Sequence, residues 1–124
     1  TLAYTIANGE LSKIPNMLES VFRQGTLGII ILRAASYHFS RLFHVIEFMK
    51  QGESFKSSIS KLRPRIFFKL ERMFEMQTSL WTTNKIRKAQ SILINTEIEC
   101  KLNYHLQRTL CERALYKIAS NAKA

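Results

Sequence analysis

Two phenylalanines stand side by side in "RPRIFFKLERMF", residues 63–74, hemmed by Arg63, Arg65, Lys69 and Arg72. This combination can hold an unpaired nucleic-acid strand: cations track the phosphates while a ring stacks on a base, at about 1–3 kcal/mol per base. Neighbours on a helix diverge by about 100°, so Phe67 and Phe68 cannot both enter one core. Spacing alone leaves open which ring packs, and whether the other meets nucleic acid, a neighbouring helix or another subunit. A second basic–aromatic pair, Lys101 and Tyr104 in "ECKLNYH", lies near the end of an expected helix. There a cation also answers the negative end of the helix dipole, and a tyrosine can be half-buried. Arg33 sits in the apolar run "IIILRAAS", and Glu97 lies on "INTEIECK". An unpaired buried ion costs several kcal/mol, so these two are expected either to pair inside the bundle or to snorkel separately to solvent.

Other chemistry finds no constellation. "RQGTLG" lacks the lysine and the preceding strand of a phosphate loop. His38, His44 and His105 do not pair at metal-ligand spacing, so no metal site and no cofactor is expected. Glu97 and Glu99 are two apart on a helix and diverge, which does not suit paired acid–base work. The serines and cysteines lack evident His and acid partners for nucleophilic catalysis. The domain is therefore read as non-enzymatic.

The elements that must position these residues are helices. The 124 residues suit a single domain over 1–124, and only four glycines and two prolines interrupt them. No alternating strand pattern persists. A first helix over 1–8 closes at Asn8-Gly9. Ser12 is expected to cap a second, with Pro15 in its first turn, ending at Gly25. Thr26 is expected to cap a long helix to about Gln51, with Ile31, Ala35, Phe39, Leu42, Phe43, Ile46 and Met49 facing a core. After Gly52 come a short helix from about Ser54 to Leu62 and a helix over 65–79 opened by Pro64. The last two helices run over 85–103, capped by Thr83 or Asn84, and over about 106–121. The fold class is all-α: a compact bundle of six to seven antiparallel helices.

Nineteen Lys and Arg against nine acids give a net charge of +10, which favours a polyanionic partner. The excess is uneven: residues 1–62 hold seven basic and four acidic groups, and residues 63–124 hold twelve and five. Cys100 and Cys111 carry no metal or disulfide-framework spacing and read as small buried hydrophobes of a reducing cytoplasm. No run approaches the ~18 apolar residues of a membrane span, and no export signal stands at the start, so no membrane partner is expected. The chain opens on "TLAYTIANGE" without an initiator Met and is expected to be part of a longer protein.

"ILR" (31–33), "RIFFKLERMFEMQTSLWT" (65–82) and "KAQSILINTEIECKLNY" (88–104) stand in an order that resembles the C-terminal domain of the DNA polymerase III delta-subunit family, the clamp-loader protein. The likeness is greatest to the alphaproteobacterial form, whose pattern is approximately P-P-hydrophobic-F-F-K, then Q-x-x-x-W, then A-E-x-x-C-K. It covers essentially the whole chain; Gly9-Glu10 and Gly25 fall at that family's turns, and "RPR" stands where it shows two prolines. The resemblance implies a helical collar domain, the C-terminal part of a protein whose N-terminal AAA+-type domains do not hydrolyse ATP. It implies assembly with gamma/tau and delta-prime subunits, primer–template DNA beneath the collar, and a beta sliding clamp gripped through the absent N-terminal domain. The parent would be a non-catalytic subunit of the DNA-directed DNA polymerase III holoenzyme, a nucleotidyltransferase. By the same resemblance, Phe67 and Tyr104 face DNA, with Arg63, Arg65, Lys69 and Lys101 on phosphates, and Phe68 falls to the core. The rival reading is a stand-alone basic helical nucleic-acid-binding domain that uses Lys85, Arg87 and Lys88 at the start of its recognition helix.

Overall fold

A computed structural model describes residues 1–124 as seven α-helices and three 3₁₀ turns, with no strand. The helices are α1 (Leu2–Asn8), α2 (Ile14–Arg23), α3 (Gly28–Lys50), α4 (Phe55–Ser60), α5 (Glu71–Leu80), α6 (Thr83–Leu102) and α7 (Gln107–Asn121). The all-α bundle expected from the sequence is what forms.

The long α3 is its axis. Its apolar stripe buries Ile31, Leu32, Ala35, Phe39, Leu42, Val45 and Ile46, while Phe43 and Met49 are only partly covered. Helix α6 lies antiparallel along α3: Arg33 meets Glu97 near one end, and Lys50 Nζ donates to Thr83 Oγ1 near the other. Ile86, Ala89, Leu93, Thr96 and Cys100 keep the 3, 4, 3, 4 rhythm that lets α6 bury one face. Helix α7 returns antiparallel to α6 and buries Leu110, Cys111, Ala114, Leu115, Ile118 and Ala119.

Glycines close three segments as left-handed residues: Gly9, Gly25 and Gly52 have φ of 75°, 89° and 97°. The helix starts differ from expectation. Ser12 lies inside a 3₁₀ turn, Leu11–Lys13, and caps nothing. Thr26 does not cap α3 either: the helix begins at Gly28, whose N–H donates to the Gln107 side chain at 2.7 Å. Helix α7 packs so closely there that a Cβ on Gly28 would fall 2.9 Å from Cys111 Sγ. The cap of α6 is Thr82, whose hydroxyl accepts from Lys85 N–H at 3.1 Å.

Helix α5 crosses the bundle and is fastened by three inward residues. Phe74 is fully buried against His38, Tyr4 and Phe55. Trp81 stacks edge-on to Phe39 at 4.7 Å, and its Nε1–H donates to the Ala7 carbonyl at 2.8 Å. Gln77 donates from Nε2 to Asn8 Oδ1 at 2.7 Å, and its Oε1 lies 2.7 Å from His38 Nε2. Asn8 in turn donates to Glu10 at 2.9 Å. The carboxylate end fixes the direction of this chain of bonds, so His38 must carry its proton on Nε2. Burial holds the His38 pKa below its ordinary value. The imidazole is therefore a satisfied core group that ties α3 to α5 and α1.

Candidate nucleic-acid interface

Residues 61–67 do not form the helix start expected at 65. The Arg63–Pro64 bond is cis, and Phe67 is extended (φ −58°, ψ 131°) before a 3₁₀ turn over Phe68–Leu70. In extended chain, side chains alternate sides. Ile66 therefore turns into the core and Phe67 turns out, and the following turn brings in the half-buried Leu70 and the buried Phe74. This overturns the assignment of Phe68 to the core. Phe68 is the more exposed ring, at 69%, against 56% for Phe67. Ile66 holds the inward place that a continuous helix would have given to a phenylalanine. The two rings meet edge-to-face at 5.0 Å on the surface.

Around them the cations differ in how far they are engaged. Arg63 Nη1 donates to the carbonyls of Ser60 and Leu62 at 2.7 and 2.8 Å, answering the C-terminal end of α4. Its other N–H groups make no bond within the chain. Arg65 and Arg72 are exposed and form no ion pair, and Lys69 Nζ lies 6.0 Å from the Phe68 ring centre. The corner is thus two exposed rings with four cations free of carboxylate partners, of which Arg65, Lys69 and Arg72 make no side-chain hydrogen bond either. Arg72 belongs to it beside the expected Arg63, Arg65, Phe67 and Lys69, and so does Phe68.

Lys101 and Tyr104 are elsewhere. Lys61 beside the corner packs over Phe48, towards the C-terminal end of α3. Tyr104 opens the short turn before Gln107, which binds Gly28 at the other end of α3. The twenty residues of α3 between Phe48 and Gly28 amount to about 30 Å of helix. The two groups of candidates therefore form separate places rather than one surface. Tyr104 is 62% exposed. Lys101, by contrast, is engaged: its Nζ lies 3.3 Å from Glu97 Oε2.

Glu97 also receives Arg33, through Nε at 3.2 Å and Nη2 at 3.0 Å. The fork-to-carboxylate geometry is bidentate. Its setting is not the buried one expected: Arg33 is exposed and Glu97 half-buried at the rim of the α3–α6 seam. Each turn of α3 places one face inside, here through Ile31, Leu32 and Ala35, and position 33 falls on the outer face. The Arg33 guanidinium and then Lys101 hold the Glu97 carboxyl below the usual carboxylate range.

No group of three or more His, Cys, Asp or Glu is placed to hold a metal, and no helix is long and apolar enough to cross a membrane. Both cysteines are free and buried, and burial pushes the Cys111 thiol up to about 12. It is protonated at neutral pH and no nucleophile. No family model matches the chain, and neither a curated protein nor a solved structure shows significant similarity to it.

Proposed function

We propose that the chain is a helical assembly domain of the clamp-loader collar type, with a nucleic-acid-facing corner at residues 63–72. The observation that carries the second half is the exposure of Phe67 and Phe68 together among unpaired Arg65, Lys69 and Arg72. Rings left in water beside free cations are what an unpaired strand uses, through stacking and phosphate contact. The first half rests on the order and spacing of the sequence segments that resemble the delta-subunit family. The seven-helix bundle is the kind of body that such a module needs.

On this reading the domain joins gamma/tau and delta-prime collar domains, and the longer protein places the beta clamp on primed DNA in the cytoplasm. Phe67, Phe68 and their cations meet the strand where primer and template part. Tyr104 offers a second, weaker contact, because its neighbouring cation is already paired to Glu97. The stand-alone reading has less support. Lys85 Nζ donates to the carbonyls of Leu80 and Ala124, and the Arg87 guanidinium lies over Phe43, so two of its three recognition cations are occupied.

The test is co-elution. The full-length protein containing this chain, mixed with gamma/tau and delta-prime subunits, should run as one complex by size exclusion. If it elutes alone at micromolar concentrations, the assembly reading is wrong, whatever the corner binds.

A further inference from the structure

A groove of about 540 Å³ runs between the outer face of α5, the end of α1 and the C-terminus. Its apolar lining is Met73, Met76 and Leu80, spaced along one side of α5 and left partly or largely exposed. Methionine side chains are unbranched and polarisable, so such a floor adapts to different apolar anchors. The rim is cationic: Lys69 and Arg72 at one end and Lys123, beside Gly9, at another. None of the three lies within ion-pair distance of a carboxylate, though Lys123 is near enough to Glu10 to help Lys13 and Asn8 lower its pKa. The one acid at the edge, Glu10, is already held by Lys13 at 2.7 Å and by Asn8 at 2.9 Å. Its charge is therefore answered from within the chain, and three positive charges face whatever enters.

We propose that this groove binds an acidic, amphipathic peptide segment of a partner protein. Apolar side chains of the segment, one helical turn apart, would lie on Met73, Met76 and Leu80, and its carboxylates would meet Arg72, Lys123 and Lys69. The apolar floor and basic rim together select this class over a nucleic-acid strand. No aromatic ring lines the groove to stack on a base, whereas an amphipathic helix buries apolar anchors in such a groove. The groove adjoins the Phe67–Phe68 surface and shares Lys69 and Arg72 with the proposed DNA-facing corner, whereas its apolar floor and Lys123 belong to it alone.

The experiment uses fluorescence anisotropy with a labelled twelve-residue peptide carrying Leu and Phe four apart among Asp and Glu. Two control peptides replace either the anchors by Ser or the acids by Asn and Gln, and a labelled oligo-dT is run beside them. The acidic amphipathic peptide should bind at least about tenfold more tightly than either control, as expected when a Met-sized apolar contact or a charge pair is lost. Met76→Gln should weaken it by about tenfold and Met76→Leu should not. R72A/K123A should weaken it and flatten its salt dependence, while Phe67→Ala should leave it unchanged. The proposal is overturned if the Ser-anchored peptide binds as well as the Leu/Phe one, or if Met76→Gln has no effect. It is equally overturned if Met76→Gln weakens oligo-dT rather than the peptide, since the groove would then be a strand path.

Discussion

The corner at residues 63–72 and the α6 end at Lys101–Tyr104 are built from the same residue types, yet they offer different chemistry. Each has an exposed ring and neighbouring cations. At the corner Arg65, Lys69 and Arg72 form no ion pair, although Glu71 lines a shallow pocket beside Arg65, and the neighbouring Lys61 is taken by Glu53. At the α6 end Glu97 takes both Arg33 and Lys101, so one of their two positive charges is answered and both side chains are drawn to the carboxylate. The lesson is that a basic–aromatic motif is set by what lies one helical turn away. A glutamate four residues before a lysine cancels it, and no spacing of lysine to tyrosine reveals that by itself.

The largest way to break this contrast is to remove what holds the corner. Phe74 is the fully buried aromatic on the inner face of α5, beside the equally buried Gln77, whereas the α6 end rests on the separate α3–α6 seam. Phe74→Ala should cost about 3–5 kcal/mol of stability, the usual range for a large aromatic deleted from a core. Urea denaturation followed by circular dichroism measures it. Hydrogen exchange on the variant should show α5 amides losing protection before those of α6. A loss under about 1 kcal/mol would mean that α5 is not the corner's support.

Next in size is the ring contact itself. On the proposed clamp-loader reading, Phe67→Ala or Phe68→Ala in the assembled complex should weaken primer–template junction binding by about 1–3 kcal/mol per base unstacked, and Tyr104→Ala by less. Each phosphate contact given up by Arg65, Lys69 or Arg72 should lower the salt slope by roughly 0.7–0.9. Anisotropy titrations over a salt series distinguish the two regions. Equal losses for Phe67→Ala and Tyr104→Ala would erase the contrast, and an affinity indifferent to salt would remove the cations from the account.

What was legible in the sequence follows the same division between local and long-range causes. Helix periodicity and the terminal glycines rest on local sterics, and the all-α bundle, the α6 stripe and the breaks at Gly9, Gly25 and Gly52 could be read directly. The caps at Ser12 and Thr26 could not, because α3 begins where α7 presses on Gly28 and supplies Gln107 as an acceptor 79 residues away. The exchange of Phe68 for Ile66 has a similar origin. Pro64 points to a helix from residue 65, but the chain stays extended to Phe67, and the period of two then governs which side chain turns inward. The partnership of Arg33 with Glu97 was legible as chemistry, from two charges on apolar helices. Its depth was not, since depth depends on how α3 is rotated against α6.

The smallest effect sharpens the comparison from the other side. If Glu97 is what silences the α6 end, Glu97→Gln should free Arg33 and Lys101 and make that end more like the corner. Junction affinity should rise modestly and its salt slope should steepen, with little change in melting temperature, because exposed ion pairs stabilise weakly. Acid should mimic the substitution. The Glu97 carboxyl is held below its ordinary range, chiefly by Arg33, so the pairing is intact above the unfolded-state pKa and is lost as pH falls through the lower, folded-state value. The wild-type chain should therefore gain binding at the α6 end only under acid conditions, and the Gln variant should already show it at neutral pH. A Gln variant with unchanged salt slope would mean that Lys101 and Arg33 point away from any strand even when freed, leaving the corner as the one surface that meets it.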